Sequence, residues 1–307
     1  MIKKKKNITI WLIILGIILI LASASGFAYF QIDQTTQISK TLQQNINLIN
    51  QNSLKNTEII DQVFQKTQQL PEIGKVKEYQ QNLTDLQKKI ADFSDETNQT
   101  KNSLKSLQNP DLQEFNLQTK KLLDFRVQYL ETANNILTLN ACYADKTDLL
   151  YNWLPATNES WVKLNSQTEA TKVAELATQT ATKVDQNNSI LKELKDCFGT
   201  NFSDSLNNDI DISLQKESQD YNNISASLKK LASSLQILNS SDYQSGVTEI
   251  QKITQTESPF LKKMNQTLNE TIRQNLTKSQ QKTADQEIIL NRIIDNLEAK
   301  YQLNTNL

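Results

Sequence analysis

Apolar residues recur at intervals of three and four for most of the chain. In the two segments that follow residue 30 about two positions in seven form the seam, which predicts long helices that each bury a narrow stripe, as coiled coils do. Prolines and glycines punctuate this pattern at long intervals. Residues 31–69, ending before Pro71, carry Ile38, Leu42, Ile46, Ile49, Ile60 and Val63. Residues 72–108 carry Val76, Leu83, Leu86, Ile90, Phe93, Leu104 and Leu107.

Asn109, Pro110 and Asp111 read as an N-cap, a first-turn proline and an acid placed to suit the helix dipole. They open a third helix to about Trp153, with Leu112, Phe115, Leu122, Tyr129, Ala133, Ile136, Tyr143 and Leu150 as its buried stripe. Leu154 and Pro155 end or kink it. A weaker stripe of Leu164, Thr171, Ala174, Ala181, Val184, Leu191 and Leu194 leads to Cys197, with Gly199 as a stop.

Residues 203–239 carry Leu206, Ile210, Leu214, Tyr221, Ile224, Leu228, Leu231, Leu235 and Leu238. Ser241 and Gln244 then suggest a capping box for a last stretch, 242–304, with a kink or fresh start at Ser258–Pro259. Its apolar members are Val247, Ile250, Phe260, Met264, Leu268, Ile272, Ile288, Leu290, Ile294 and Leu297. Short connections favour antiparallel neighbours. The expected fold is all-α: an elongated antiparallel helical bundle, or coiled-coil-like rod, following an N-terminal transmembrane helix. Its turns near 70, 155–165 and 240 would lie away from the membrane.

The N-terminus departs from this seam pattern. Lys3, Lys4, Lys5 and Lys6 precede an uncharged apolar stretch from Ile8 to Phe30, long enough as a helix to cross a bilayer core. Lysines before the stretch and few charges behind it predict residues 1–7 in the cytoplasm, 8–30 as a signal-anchor and 31–307 on the far side. The competing expectation is a signal peptide, residues 1–24, cleaved after the small residues Ala22, Ser23 and Ala24. The apolar run continues through Phe27, Ala28, Tyr29 and Phe30, which favours retention. Either way the body lies outside the cytoplasm.

Composition narrows the function. The chain is 37% apolar and 7% aromatic, with five glycines, four prolines and a formal charge of -1, a profile unlike a compact enzyme with one thick core. Arginine occurs only at 126, 273 and 292, and neither the charge nor the lysine bias suits nucleic-acid binding. There is no histidine, which removes imidazole acid–base chemistry, the usual nucleophile triads and most zinc sites. The oxygen-rich run Asp204, Asn207, Asn208, Asp209 and Asp211 lacks the glycine turn and closing glutamate of an EF-hand and reads as capping and solvation. No catalytic, cofactor-binding or metal-ligating residue is expected, and no cofactor.

Two features remain as candidate sites. Cys142 and Cys197 are the two cysteines of a chain expected in an oxidising compartment. A fourth helix starting at Thr157 would hold them ~40 Å apart. One starting at Ser166, with Glu169 completing a capping box, would bring them close, so a bridge and two free thiols both stay open. Tyr151, Trp153 and Trp161, near Tyr143, gather large aromatics at the expected distal turn. They would serve either as partner contacts or as the small core that closes the hairpin.

The expected function is therefore non-catalytic: a membrane-anchored scaffold, spacer or surface-binding protein. Its expected partners are the bilayer through residues 8–30, a protein or other envelope component, and a second copy of the chain. One span followed by a helical bundle also resembles the extracytoplasmic half of a chemoreceptor. That resemblance is of architecture alone and implies a ligand-sensing ectodomain; with no second span before Leu307, a partner would have to carry the signal. A secreted adhesin or helical toxin is the remaining alternative.

Overall fold

A computed structural model describes residues 3–67, 71, 74–106, 108–163, 170–198, 204–233, 248, 259–301 and 303, with side chains from Gln34 onward, from Ile210 in the sixth helix and from Lys262 in the seventh. The described residues are helical, with no strand among them. The helices are α1 (Lys3–Thr67), α2 (Val76–Ser103), α3 (Pro110–Tyr151), α4 (Leu154–Lys163), α5 (Ala170–Phe198), α6 (Asp204–Ser233) and α7 (Pro259–Tyr301). Among the described residues no helix is long and apolar enough to cross a membrane. Lys3, Lys4, Lys5, Lys6 and the stretch Ile8–Phe30 have side chains outside those residues.

The chain divides into two compact units, residues 1–58, 93–128 and 280–307 in the first, 59–92 and 129–279 in the second. The divisions fall within α1, α2, α3 and α7.

In the first unit Leu42, Ile46 and Ile49 of α1 pack with Leu112, Phe115 and Leu122 of α3 and with Leu290, Ile294 and Leu297 of α7. These are seam residues at helical spacing, and removing them from water supplies the main drive for docking the helices. The α2–α3 connection is held by two buried asparagines. Asn45 Oδ1 accepts from the Lys105 backbone N–H at 3.1 Å, and the Asn45 and Asn116 amides donate to the Lys105 carbonyl at 3.0 and 2.8 Å. Backbone groups that leave a helix in a buried place need such partners.

Asn109 caps α3 as its sequence implies: its Oδ1 accepts from the Leu112 backbone N–H at 3.1 Å, and Pro110 opens the helix.

In the second unit α2 with α3, and α3 with α5, each keep a constant antiparallel register. Gln80 with Asp145 and Gln87 with Thr138 step seven residues forward on α2 and seven back on α3. Cys142 with Cys197 and Lys146 with Glu193 do the same for α3 and α5 in steps of four. Lys229 with Asp185 and Lys195 with Asp211 pair α5 with α6. The α1–α2 turn passes through Gly74 at φ +87°, a left-handed conformation that favours glycine, and its N–H donates to Asp148 Oδ1 at 2.6 Å.

All eight expected stripe residues of α3 are buried. Two stretches are read differently by the structure. On α5, Thr171 is exposed and Ala174 only half-buried, and the inner face runs instead through Val173, Ala177, Thr180, Ala181 and Val184. On α7, Ile288 is 52% exposed, while Leu276, Thr283, Gln286 and Leu290 continue the inner face. In both places polar residues hold inward positions and apolar or small ones point out. A rule that seeks apolar spacing alone then misassigns these positions, while Ala181, Val184, Leu191 and Leu194 on α5 and Met264, Leu268, Ile272, Leu290, Ile294 and Leu297 on α7 are buried as expected. The expected residues Leu107, Leu164, Leu206, Leu235, Leu238, Val247, Ile250 and Phe260, and the Ser241–Gln244 cap, lie outside the described side chains.

Candidate functional site

The region that collects the candidate residues is in the second unit, where α3, α4, α5, α6 and α7 meet. The chain leaves α3 at Tyr151 and restarts as α4 at Leu154, so Pro155 falls in a first turn, where its missing N–H breaks no helical bond. A short α4 and a later α5 replace the single fourth helix expected from the sequence. That arrangement lets α5 run back along α3 far enough for its last turn to reach Cys142.

Cys142 and Cys197 are bonded, with Cα atoms 5.7 Å apart. One residue beyond Cys197, the buried Phe198 ring meets the Tyr143 ring edge-on at 6.0 Å. The Tyr143 hydroxyl donates to Asn265 Oδ1 on α7 at 2.7 Å. Burial pushes the Tyr143 phenol well above its ordinary range, so it stays protonated and can hold that bond.

Of the two roles open to Tyr151, Trp153 and Trp161, partner contact or hairpin core, the burial of Tyr151 and Trp161 fits the core. Trp161 is 0% exposed, and its Nε1–H donates to Thr180 Oγ1 at 3.2 Å. Tyr151 is buried, and its hydroxyl accepts from that of Tyr221 at 3.3 Å. Trp153 is half-buried with Nε1 3.4 Å from Asn187 Oδ1, and the Asn187 amide in turn donates to the Leu150 carbonyl at 3.2 Å. The reason is geometric. The Trp161 indole lies against α5 at Thr180, and a buried indole N–H needs such an acceptor.

Beside the disulfide lies a cleft of about 460 Å³, partly open to solvent. Ile136, Leu139, Ile272 and Phe198 give it an apolar floor, and the disulfide forms part of its wall. Asn135, Thr138, Thr271 and Asn275 line its polar edges, and Asp196 is the charged residue among those that line it.

A second polar assembly, in the first unit, is absent from any reading by apolar spacing. The Arg126 side chain is fully buried. It donates to Asn52 Oδ1 at 2.7 Å, to Ser53 Oγ at 2.6 Å and to Glu287 Oε1 at 2.7 Å, and the Asn52 amide donates to Thr97 Oγ1 at 2.9 Å. One arginine thus ties α1, α2, α3 and α7 together. Burial lowers its pKa while Glu287 opposes that shift. The only sequence signal was the rarity of arginine itself. A single Arg on a stripe otherwise built from aliphatic and aromatic residues is a candidate interhelical anchor.

None of these groups forms a nucleophile–base pair. Among the described residues no cluster of His, Cys, Asp or Glu could hold a metal ion. Asp211, from the oxygen-rich run, pairs with Lys195 at 2.8 Å. Comparisons with protein-family models, with curated proteins and with solved structures find no match to this chain.

Proposed function

We propose that this chain is a membrane-anchored extracytoplasmic helical protein that scaffolds, spaces or binds, and does not catalyse. The observation that carries the reading is the bond between Cys142 and Cys197, which uses both cysteines of the chain. Disulfides persist in oxidising compartments and are rare in the cytosol. A route to such a compartment is written at the N-terminus, where Lys3–Lys6 precede the apolar run Ile8–Phe30. In this proposal residues 8–30 stay in the bilayer. The antiparallel registers within the second unit support long helices laid side by side, the arrangement expected of a spacer.

The absence of histidine from the sequence supports a non-catalytic role. So do the described carboxylates near the cleft and on α5, which serve ion pairs or face solvent.

The test is a pair of reporters fused after Leu307, one active only in the cytosol and one only beyond the membrane. Activity of the second alone, with the fusion sedimenting with membranes, is the expected result. A cytosolic signal would overturn the topology. Loss of residues 1–24 from the mature chain by intact mass would replace the anchored protein with a secreted one.

A further inference from the structure

We propose that the cleft beside the Cys142–Cys197 disulfide is a binding site for a small organic cation with a compact apolar body, such as an aryl- or alkylammonium compound. This goes beyond the anchored-scaffold reading and does not depend on it. The cleft exists because α5 stops at Phe198, while α3 runs antiparallel to it and passes on through Leu139, Ile136 and Thr132. Alongside that part of α3, α7 contributes Thr271, Ile272 and Asn275 to the wall.

Its volume of about 460 Å³ is in the range of sites that enclose small organic ligands. The floor of Ile136, Leu139, Ile272 and Phe198 would cover an apolar body, and the amides and hydroxyls at the edge would meet polar substituents.

The charge at the mouth selects the ligand class. Asp196 lies in the last turn of α5 and lines the cleft without an ion-pair partner among the described residues, whereas its neighbour Lys195 is held by Asp211 at 2.8 Å. The C-terminal end of a helix carries partial negative charge, which adds to that of the carboxylate. No lysine or arginine is among the residues lining the cleft. A cation is therefore favoured and an anion disfavoured. The disulfide fixes the last turn of α5 to α3, so the wall bearing Asp196 is formed before any ligand arrives, which lowers the ordering cost of binding.

The experiment uses the full chain in lipid nanodiscs, with protein-free nanodiscs subtracted, titrated calorimetrically with benzylammonium and with its neutral counterpart benzyl alcohol. Benzylammonium is expected to saturate one site. Asp196→Asn should weaken it about fivefold, as for loss of a partly exposed ion pair, and leave benzyl alcohol unchanged. Ile272→Trp, which fills the floor, should abolish binding of both, with circular dichroism confirming that each variant is folded. Absence of saturable benzylammonium binding by the native chain would overturn the proposal. So would equal benzylammonium affinity in Asp196→Asn, or undiminished binding in a folded Ile272→Trp protein.

Discussion

Lys146 and Glu193 sit one helical turn from Cys142 and Cys197 on the same two helices, with Nζ and Oε2 2.8 Å apart. The covalent bond and the ion pair therefore report one register between α3 and α5. Hydrogen bonding to Glu193 raises the Lys146 pKa, so the Lys146 ammonium keeps its charge. Both members are partly exposed, and the ion pair guides the register more than it stabilises it.

The disulfide closes a loop with a sequence separation of 55 residues, for which chain entropy predicts about 4 kcal/mol of stabilisation. Cys142→Ser with Cys197→Ser should lower the urea midpoint by a corresponding amount. Helical content at zero denaturant should be retained, because Phe198, Tyr143 and Leu194 remain buried. An unchanged midpoint in protein shown to be oxidised would contradict this account.

Removing one partner of the Arg126–Glu287 pair should cost more than replacing both. Glu287→Ala leaves a buried guanidinium without its counter-charge, an expected loss of about 2–3 kcal/mol, reduced from the fully buried case because Glu287 is partly exposed. Arg126→Met with Glu287→Met should recover much of that loss, since the buried charge goes with its partner. Chemical denaturation of the two single variants and the double variant gives the coupling energy directly.

Two buried tyrosines should respond in opposite directions to loss of the hydroxyl. The Tyr129 hydroxyl is buried with no hydrogen-bond partner among the described residues, so Tyr129→Phe should be neutral or stabilising by up to about 1 kcal/mol. Tyr143 donates to Asn265 Oδ1, so Tyr143→Phe should destabilise by about 1–2 kcal/mol. Thermal unfolding of the pair under one condition is sufficient.

Asp111 in the first turn of α3 accepts from Lys300 and from Tyr301, the latter at 2.7 Å, near the end of α7. Those hydrogen bonds, Lys300 first, hold its carboxyl below the usual carboxylate range. A depressed folded-state pKa contributes stability that is present above the unfolded value and fades as pH falls through the folded one. The difference in melting temperature between the native chain and Asp111→Asn should therefore be steady from pH 5 to 8 and shrink as pH falls below the ordinary carboxylate range and through the depressed folded-state value. A difference that grows on acidification would refute it.

Helix class and the α3 face were legible because apolar residues at helical spacing have one sensible orientation, and because Asn109–Pro110 is a local start signal that needs no tertiary partner. On α5 and α7 the same reasoning placed most of the stripe but missed at Thr171, Ala174 and Ile288. There the inward positions include Thr180, Asn187, Thr283 and Gln286, polar residues that apolar spacing does not mark. Gln286 meets Gln118, Asn187 meets Leu150 and Trp153, and Thr180 meets Trp161. Nothing within a single helix announces those partners.

The sequence by itself determined the helical class, the start of α3, the absence of histidine chemistry and the basic-then-apolar N-terminus, because each depends on local spacing or on composition. Tertiary structure alone decided that Cys142 reaches Cys197, that Trp161 points inward, that Arg126 is buried and that a cleft opens beyond Phe198. Each of these depends on where one helix stops relative to another. That distance is the outcome of docking, in which polar partners and side-chain volumes on separate segments are chosen together.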